Sequence, residues 1–239
     1  MPPRLPIVAI DGPAGAGKST VARRLAAALG YVLVDTGALY RGVALAAQRT
    51  RVPWEDGARV GSLAQSLVVR QGLRLERDGI GGLRVRLDGE DVSEAIRTPE
   101  IGMGASQVSA HPQVRDALLE MQRQAGEGGG VVLEGRDIGT VVFPHAEVKF
   151  FLTARPEVRA QRRFDELCAK GSTVTYEETL FDVRRRDEQD TTRPVAPLKQ
   201  ADDATLLDNS EMTIDETVAR MAAGVRERGL AGEGPRKTP

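Results

Sequence analysis

Residues 12–20 read GPAGAGKST and follow directly on a short apolar run, Pro6 to Ile10. The spacing of glycine, four residues, glycine, lysine and serine constrains the fold more than any other feature of the chain. It requires a buried strand before it and a helix after it. Glycines let successive backbone N–H groups turn inward around a phosphate without side-chain obstruction. The positive end of the following helix adds to the attraction. Lys18 is long enough to reach the outer phosphates, and the Ser19 hydroxyl is a ligand for Mg²⁺. Gly12, Pro13, Ala14, Gly15, Ala16, Gly17, Lys18, Ser19 and Thr20 are therefore expected to bind a nucleoside triphosphate.

The required context is present. Ser19 to Leu29 is alanine- and leucine-rich with helical periodicity and ends at Gly30, and Tyr31 to Val34 reads as a second strand. Strand, loop, helix and strand in that order mark a parallel α/β sheet. Ala38–Gln48 and Ala58–Val69 read as helices. Leu73–Val92 alternates apolar and polar residues around Asp78-Gly79, Gly81-Gly82 and Asp88-Gly89, the pattern of a small antiparallel meander. Helical periodicity returns at Glu100–Ser109 and Gln113–Gln124. Val131–Glu134 and Val148–Leu152 read as core strands, Pro156–Lys170 and Tyr176–Gln189 as charged helices, Ala204–Asp208 as a last strand and Ile214–Arg228 as a last helix. The tail from Leu230 is expected to be disordered.

The chain has 239 residues and a formal net charge of −1, which gives no reason to expect nucleic acid or a membrane surface as partner. No segment approaches the length of a membrane span, and the N-terminus lacks a secretory h-region, so a cytoplasmic protein is expected. Of 33 basic residues only five are lysines, leaving 28 arginines. Arginine offers a planar fork for phosphate oxygens, although a proteome-wide bias would also raise the count. The single Cys168 rules out an intramolecular disulfide and reads as a small packing residue. His111 and His145 read as surface residues.

The glycine loop is shared by motors, GTPases, helicases and small-molecule kinases, so other segments must name the reaction. In a parallel sheet the carboxyl ends of the strands face the ligand crevice. Asp35, Thr36 and Arg41 stand just past the second strand; capping of the next helix is the alternative reading for Asp35 and Thr36. Glu134, Gly135, Arg136 and Asp137 end the VVLE strand, where a carboxylate can hold Mg²⁺ through water; a salt-bridged turn is the alternative. Arg184 to Arg193 is either a solvated charged helix or, before Pro194 and Pro197, a mobile lid whose arginines swing onto the transferring phosphate.

The segments GPAGAGKST, DTGALYR, GEDVSEAIRT, ASQVSAHPQVR, GRDIGTVVFP, RRRDEQDTTR and APLKQADDATLLD resemble the bacterial cytidylate kinase family in order and spacing, over roughly Pro6 to Arg228. The resemblance implies a five-stranded parallel sheet flanked by helices, one kinase domain with core 6–67 and 110–228. It also implies a monophosphate-binding insert at about 68–109 and a helical lid at about 155–197. ATP and Mg²⁺ are the implied cofactors, CMP and dCMP the implied acceptors, and a monomer the implied state. Carried onto matching positions, it makes Arg41, Arg136 and Arg193 hold the acceptor phosphate and places Ser106, Arg115 and Asp137 around the cytosine. Arg186 and Asp190 fall near the sugar, and Thr36 and Tyr40 line the same pocket. Lys18, Arg136, Arg186 and Arg193 are the implied catalytic residues, with Ser19 and, through water, Glu134 on the metal. Another small-metabolite kinase, a nucleotide-gated switch and an RNA-binding ATPase are the rival readings.

Overall fold

The computed structural model describes residues 4–77 and 82–228. Strand β1 (Ile7–Asp11) is buried along its whole length, as a near-continuous apolar run must be when both faces of a parallel sheet are covered. Its residues alternate: Val8 and Ile10 pack on one side of the sheet, Ile7 and Ala9 on the other. The remaining core strands are β2 (Val32–Asp35), β6 (Val131–Gly135), β7 (Val148–Thr153) and β8 (Thr205–Asp208). They form one parallel sheet in the order β2-β6-β1-β7-β8. In this register Ile10 lies beside Glu134 and Asp35 beside Glu134, so the polar ends of β1, β2 and β6 converge on one edge.

Helices α1 (Lys18–Leu29) and α8 (Ile214–Glu227) cover one face of the sheet, burying Leu25, Met221 and Val225 against Val8, Phe150 and Leu152. The other face is capped by Ile138 and Val142 of a π-helical turn, residues 138–142. A second apolar cluster joins α2 (Gly37–Arg49), α3 (Gly57–Val69), α4 (Pro99–Val108) and α5 (Pro112–Ala125) to the meander. The meander is β3 (Leu73–Arg77), β4 (Leu83–Leu87) and the short β5 (Glu90–Asp91). Asp88 and Gly89 both have positive φ, as the expected tight turn between β4 and β5 requires. The other turn expected in the meander, around Asp78-Gly79 and Gly81, lies outside the described residues, as does the tail from Leu230. Helices α6 (Pro156–Ala169) and α7 (Tyr176–Thr192) pack against each other beside the sheet. Among the described residues no helix is long and apolar enough to cross a membrane.

Two residues differ from expectation. Cys168 is exposed, because it falls on the outer face of α6. His111 is half-buried: its Nε2 lies 2.8 Å from the Trp54 carbonyl oxygen, and its ring fills the space in front of Gly57. The Pro that follows it starts α5, so the histidine is held where two helices meet. His145 is exposed, as expected.

Candidate active site

The glycine loop connects β1 to α1 and is shaped from outside. Gly12 passes so close to β7 that a Cβ there would sit 1.9 Å from the Leu152 carbonyl oxygen. Gly17, at φ 84°, caps α1 in the left-handed region open to glycine. Three side chains hold the loop's carbonyls. Lys18 Nζ donates to Pro13 O at 2.8 Å, Arg159 Nη1 to Ala14 O at 3.1 Å and Asn209 Nδ2 to Ala16 O at 3.0 Å. With these carbonyls tied down, the opposite side of the loop is left to its N–H groups, the arrangement that cradles an anion. Arg159 and Asn209 carry no motif signal. They were invisible in the sequence because their loop contacts span 145 and 193 residues.

Around the loop stand the charged residues singled out by the sequence. Arg136 Nε donates to Asp190 Oδ2 at 2.7 Å, joining the end of β6 to α7. Arg186 and Asp190 stand one turn apart on the inner side of α7 and Arg193 follows at its C-cap, while Arg184 and Arg185 pair outward with Glu157 and Asp182. The charged run is thus neither wholly solvated nor wholly a phosphate clamp; it is split by the helix period. A further pair, Arg159 with Asp187 at 2.6 Å, ties α7 to α6 beside the glycine loop.

Asp137 accepts from Arg115 through one oxygen and from Arg193 Nη2, at 3.3 Å, through the other. All three side chains are buried. The Arg115 guanidinium lies 5.4 Å from the Tyr40 ring centroid, and Gln122 Nε2 donates to the Tyr40 hydroxyl at 3.3 Å. Thr36 does not cap α2 with its side chain; its hydroxyl donates to Glu134 O at 2.8 Å and stitches β2 to β6. Arg41 faces Asp35 at 3.5 Å, and both line a cavity of about 260 Å³ together with Ser19, Arg23, Arg97 and Glu134. Ser106 is joined to this network only through its backbone: Ser109 Oγ donates to Ser106 O, and Arg115 Nη1 to Ser109 O.

Among the described residues four buried side-chain polar atoms lack a hydrogen-bond partner: Ser106 Oγ, Glu134 Oε1, Thr140 Oγ1 and Arg186 Nε. Three of the four belong to residues that the sequence marked for the site. Native proteins pair nearly all buried polar groups, so such a concentration points to groups held for a ligand.

The electrostatics agree. Burial, and then Arg136, pull Lys18 well below its ordinary value, against the opposing carboxylates Glu134 and Asp190. Burial and the neighbouring Arg136 push Arg186 down to about 10. Burial also raises Asp190, but Arg136, Arg186 and Arg193 around it outweigh that and hold it below the usual range. Burial and the Asp35 charge push Glu134 up to about 7, with Lys18, the Ser19 hydroxyl and Arg136 pulling it back. Like charges crowd here, since Arg136 disfavours the charged forms of both Lys18 and Arg186, a repulsion that a bound polyphosphate would relieve.

The elevated Glu134 has a consequence for stability. Because the folded state holds this proton more tightly than the unfolded chain, its contribution is present in acid and is lost as pH rises through about 7. Glu134→Gln is accordingly expected to stabilise the ligand-free protein by about 2 to 3 kcal/mol at pH 8 and by almost nothing at pH 4. Urea unfolding at the two pH values measures the difference; equal stabilities at pH 8 would contradict it.

The family model described as cytidylate kinase matches residues 8–227. The chain belongs to the cytidylate kinase family. It is 53% identical to the cytidylate kinase of Geobacter sp. (strain M21) over 95% of each chain. It is 54% identical to that of Syntrophotalea carbinolica over 93% of this chain and 92% of the relative. The Neisseria gonorrhoeae cytidylate kinase is 50% identical over 91% and 96%. A cytidylate kinase site must hold both ATP and a nucleoside monophosphate. The paired carboxylates and arginines lie between α5, β6 and α7.

Proposed function

We propose that the protein transfers the γ-phosphoryl group of ATP directly to CMP and dCMP, giving CDP or dCDP and ADP. The observation that carries this reading is the Arg136–Asp190 ion pair at 2.7 Å, both of whose charges act on Lys18 of the glycine loop. Arg41, Arg136 and Arg193 hold the acceptor phosphate. Ser106, Arg115 and Asp137 surround the cytosine, Arg186 and Asp190 meet the sugar, and Thr36 and Tyr40 line the pocket. A carboxylate suits the cytosine amino donor and repels the carbonyl that uracil presents instead, while Arg115 and Ser106 donate to the ring nitrogen and O2.

The acceptor is a phosphate monoester with a second pKa of about 6, so it is largely dianionic at neutral pH and needs no general base. Catalysis rests on alignment and charge neutralisation by the loop amides, Lys18, Arg136, Arg186 and Arg193. Arg186, with an unpartnered buried Nε, has a free donor for the transferring group. The hydroxyl of Ser19 and the unpartnered Oε1 of Glu134 form a hard oxygen set that fits Mg²⁺, Glu134 acting through water. Held by Ser19 and, through water, Glu134, such an ion would supply charge neutralisation for the transferring group. The insert at about 68–109 encloses the monophosphate, and α6 and α7 within the lid at about 155–197 exclude water as a competing acceptor. The enzyme works as a monomer on small molecules, in the cytoplasm where ATP and CMP occur.

A coupled assay of ADP formation with ATP, Mg²⁺ and a panel of nucleoside monophosphates tests this. CMP and dCMP are expected to turn over at least about ten-fold faster than UMP at limiting concentration. Equal use of UMP would overturn the cytosine assignment, and absence of ADP formation with every acceptor would overturn the kinase reading.

A further inference from the structure

Asp11 ends β1, immediately before the glycine loop, and is 4% exposed. Every other residue of IVAID is apolar, so a buried carboxylate there requires partners. It has two. Asp11 Oδ1 accepts from the backbone N–H of Ile138 at 2.8 Å, and Oδ2 from that of Gly139 at 2.7 Å. These amides open the π-helical turn 138–142, and the residue at its N-cap position is Asp137.

An aspartate at an N-cap ordinarily folds its own carboxylate back onto the first free amides of the helix. Asp137 makes no such bond. Its two oxygens face Arg115 and Arg193 instead. Of the two amides that an N-cap carboxylate ordinarily takes, the nearer, that of Gly139, is already occupied by Asp11, which also holds the amide of Ile138, 127 residues away in the chain. Space reinforces the arrangement. A Cβ on Gly139 would meet Lys149 Cδ at 3.1 Å and Asp11 Oδ2 at 3.4 Å, so this wall leaves little room for the turn to shift.

We infer that Asp11 is a positioning residue that caps the turn after Asp137 in place of Asp137 itself, and so keeps the Asp137 carboxylate turned toward Arg115, Arg193 and the acceptor base. The inference rests on the proposed role of Asp137 in reading cytosine. It adds a mechanical link between the two sides of the site, because Gly12, the next residue, begins the loop that binds the donor. Removing the Asp11 carboxylate frees two amides, one and two residues away from Asp137. That side chain then turns inward onto its own helix and abandons the two arginines.

The test uses the full-length enzyme and Asp11→Asn, which keeps the shape but presents an N–H₂ to one of the two amides. Steady-state kinetics with CMP and UMP are measured in the parent and Asp137→Asn backgrounds, with thermal melting in parallel. In the parent background Asp11→Asn is expected to raise KM for CMP about ten-fold and to cut the CMP-over-UMP preference at least five-fold, with KM for ATP within about two-fold. In the Asp137→Asn background the further loss of preference is expected to be under two-fold, because the group that Asp11 controls is already gone. Equal losses in both backgrounds, or an unchanged preference in the first, would overturn the inference, as would equal rises in KM for ATP and CMP. Where Asp11→Asn does not fold, Asp11→Ser, which retains a hydroxyl acceptor, is carried through the same measurements.

A readout without turnover separates this inference from the functional reading. In the parent, the Arg115 guanidinium protons are expected to exchange slowly because of their buried pairing with Asp137, and in Asp11→Asn to exchange at least ten-fold faster. Unchanged exchange would refute the positioning role whatever the acceptor is. If the parent phosphorylates neither CMP nor UMP but Arg115 exchange still accelerates, the positioning of Asp137 stands and only the substrate reading falls.

Discussion

Arg136→Ala is expected to lower kcat for CMP phosphorylation by about three orders of magnitude, the range found when a transition-state arginine is removed from a phosphoryl-transfer site. In the proposed site Arg136 is the guanidinium between the two sides. It lies at the end of β6, is paired with Asp190 at 2.7 Å, and its charge is among the strongest acting on Lys18. Alanine there also leaves Asp190 in a buried setting without its main counter-charge. Truncating one partner of such a pair destabilises by about 3 to 5 kcal/mol. The two losses separate with Arg136→Lys, which restores charge near Asp190 but not the planar fork that takes two phosphate oxygens. Lysine is expected to recover at least half of the lost stability while kcat stays at least about thirty-fold below the parent. Urea unfolding and steady-state kinetics on the three proteins decide this. A lysine variant with full kcat would reduce Arg136 to a structural ion pair.

The second large effect is on specificity. Asp137→Asn is expected to reduce the preference for CMP over UMP by about ten- to a hundred-fold, the worth of one hydrogen bond to a charged group. The loss arises from both substrates: the amide accepts less strongly from the cytosine amino group and no longer repels the uracil carbonyl. The structure adds a cost that the sequence did not show. Arg115 and Arg193, whose side chains are only 6% and 5% exposed, both rely on Asp137 for their counter-charge. The variant is therefore also expected to lose about 2 to 4 kcal/mol of stability. Competition assays with mixed CMP and UMP, together with denaturant unfolding, measure the two effects. An unchanged ratio in a destabilised protein would leave Asp137 as a structural anchor and remove it from base reading.

Much of the site was legible because its residues stand at the carboxyl ends of strands. Asp35, Thr36, Glu134, Arg136 and Asp137 could be assigned to the crevice from the order of strands and helices alone, since a parallel sheet presents those ends together. The meander and its Asp88-Gly89 turn were equally readable, from alternation and from a dipeptide suited to positive φ. What escaped were residues whose roles depend on contacts between distant segments. Helix capping is the alternative reading of Thr36, and in the fold its hydroxyl instead donates to the Glu134 carbonyl across 98 residues. Gln122 lies in a helix of ordinary composition, and only the tertiary fold brings it to the Tyr40 hydroxyl, 82 residues away. The amphipathic surroundings of Cys168 point to packing, but the rotation of α6 about its axis leaves it outside.

By itself, the sequence determined the donor half of this protein: nine residues of glycine-rich loop between an apolar strand and a helix allow one local conformation, because backbone sterics and helix polarity act over a few residues. It also determined the family, through motifs whose order and spacing survive without coordinates. The tertiary structure alone decided how the acceptor half is held. Whether an arginine is a phosphate clamp, a counter-ion or a loop brace depends on which carboxylate or carbonyl the fold brings within about 3 Å of it. Arg136, Arg159 and Arg193 are chemically identical in the sequence. Only their partners Asp190, Asp187 and Asp137 distinguish them, and those partners are set by how α6 and α7 pack beside the sheet.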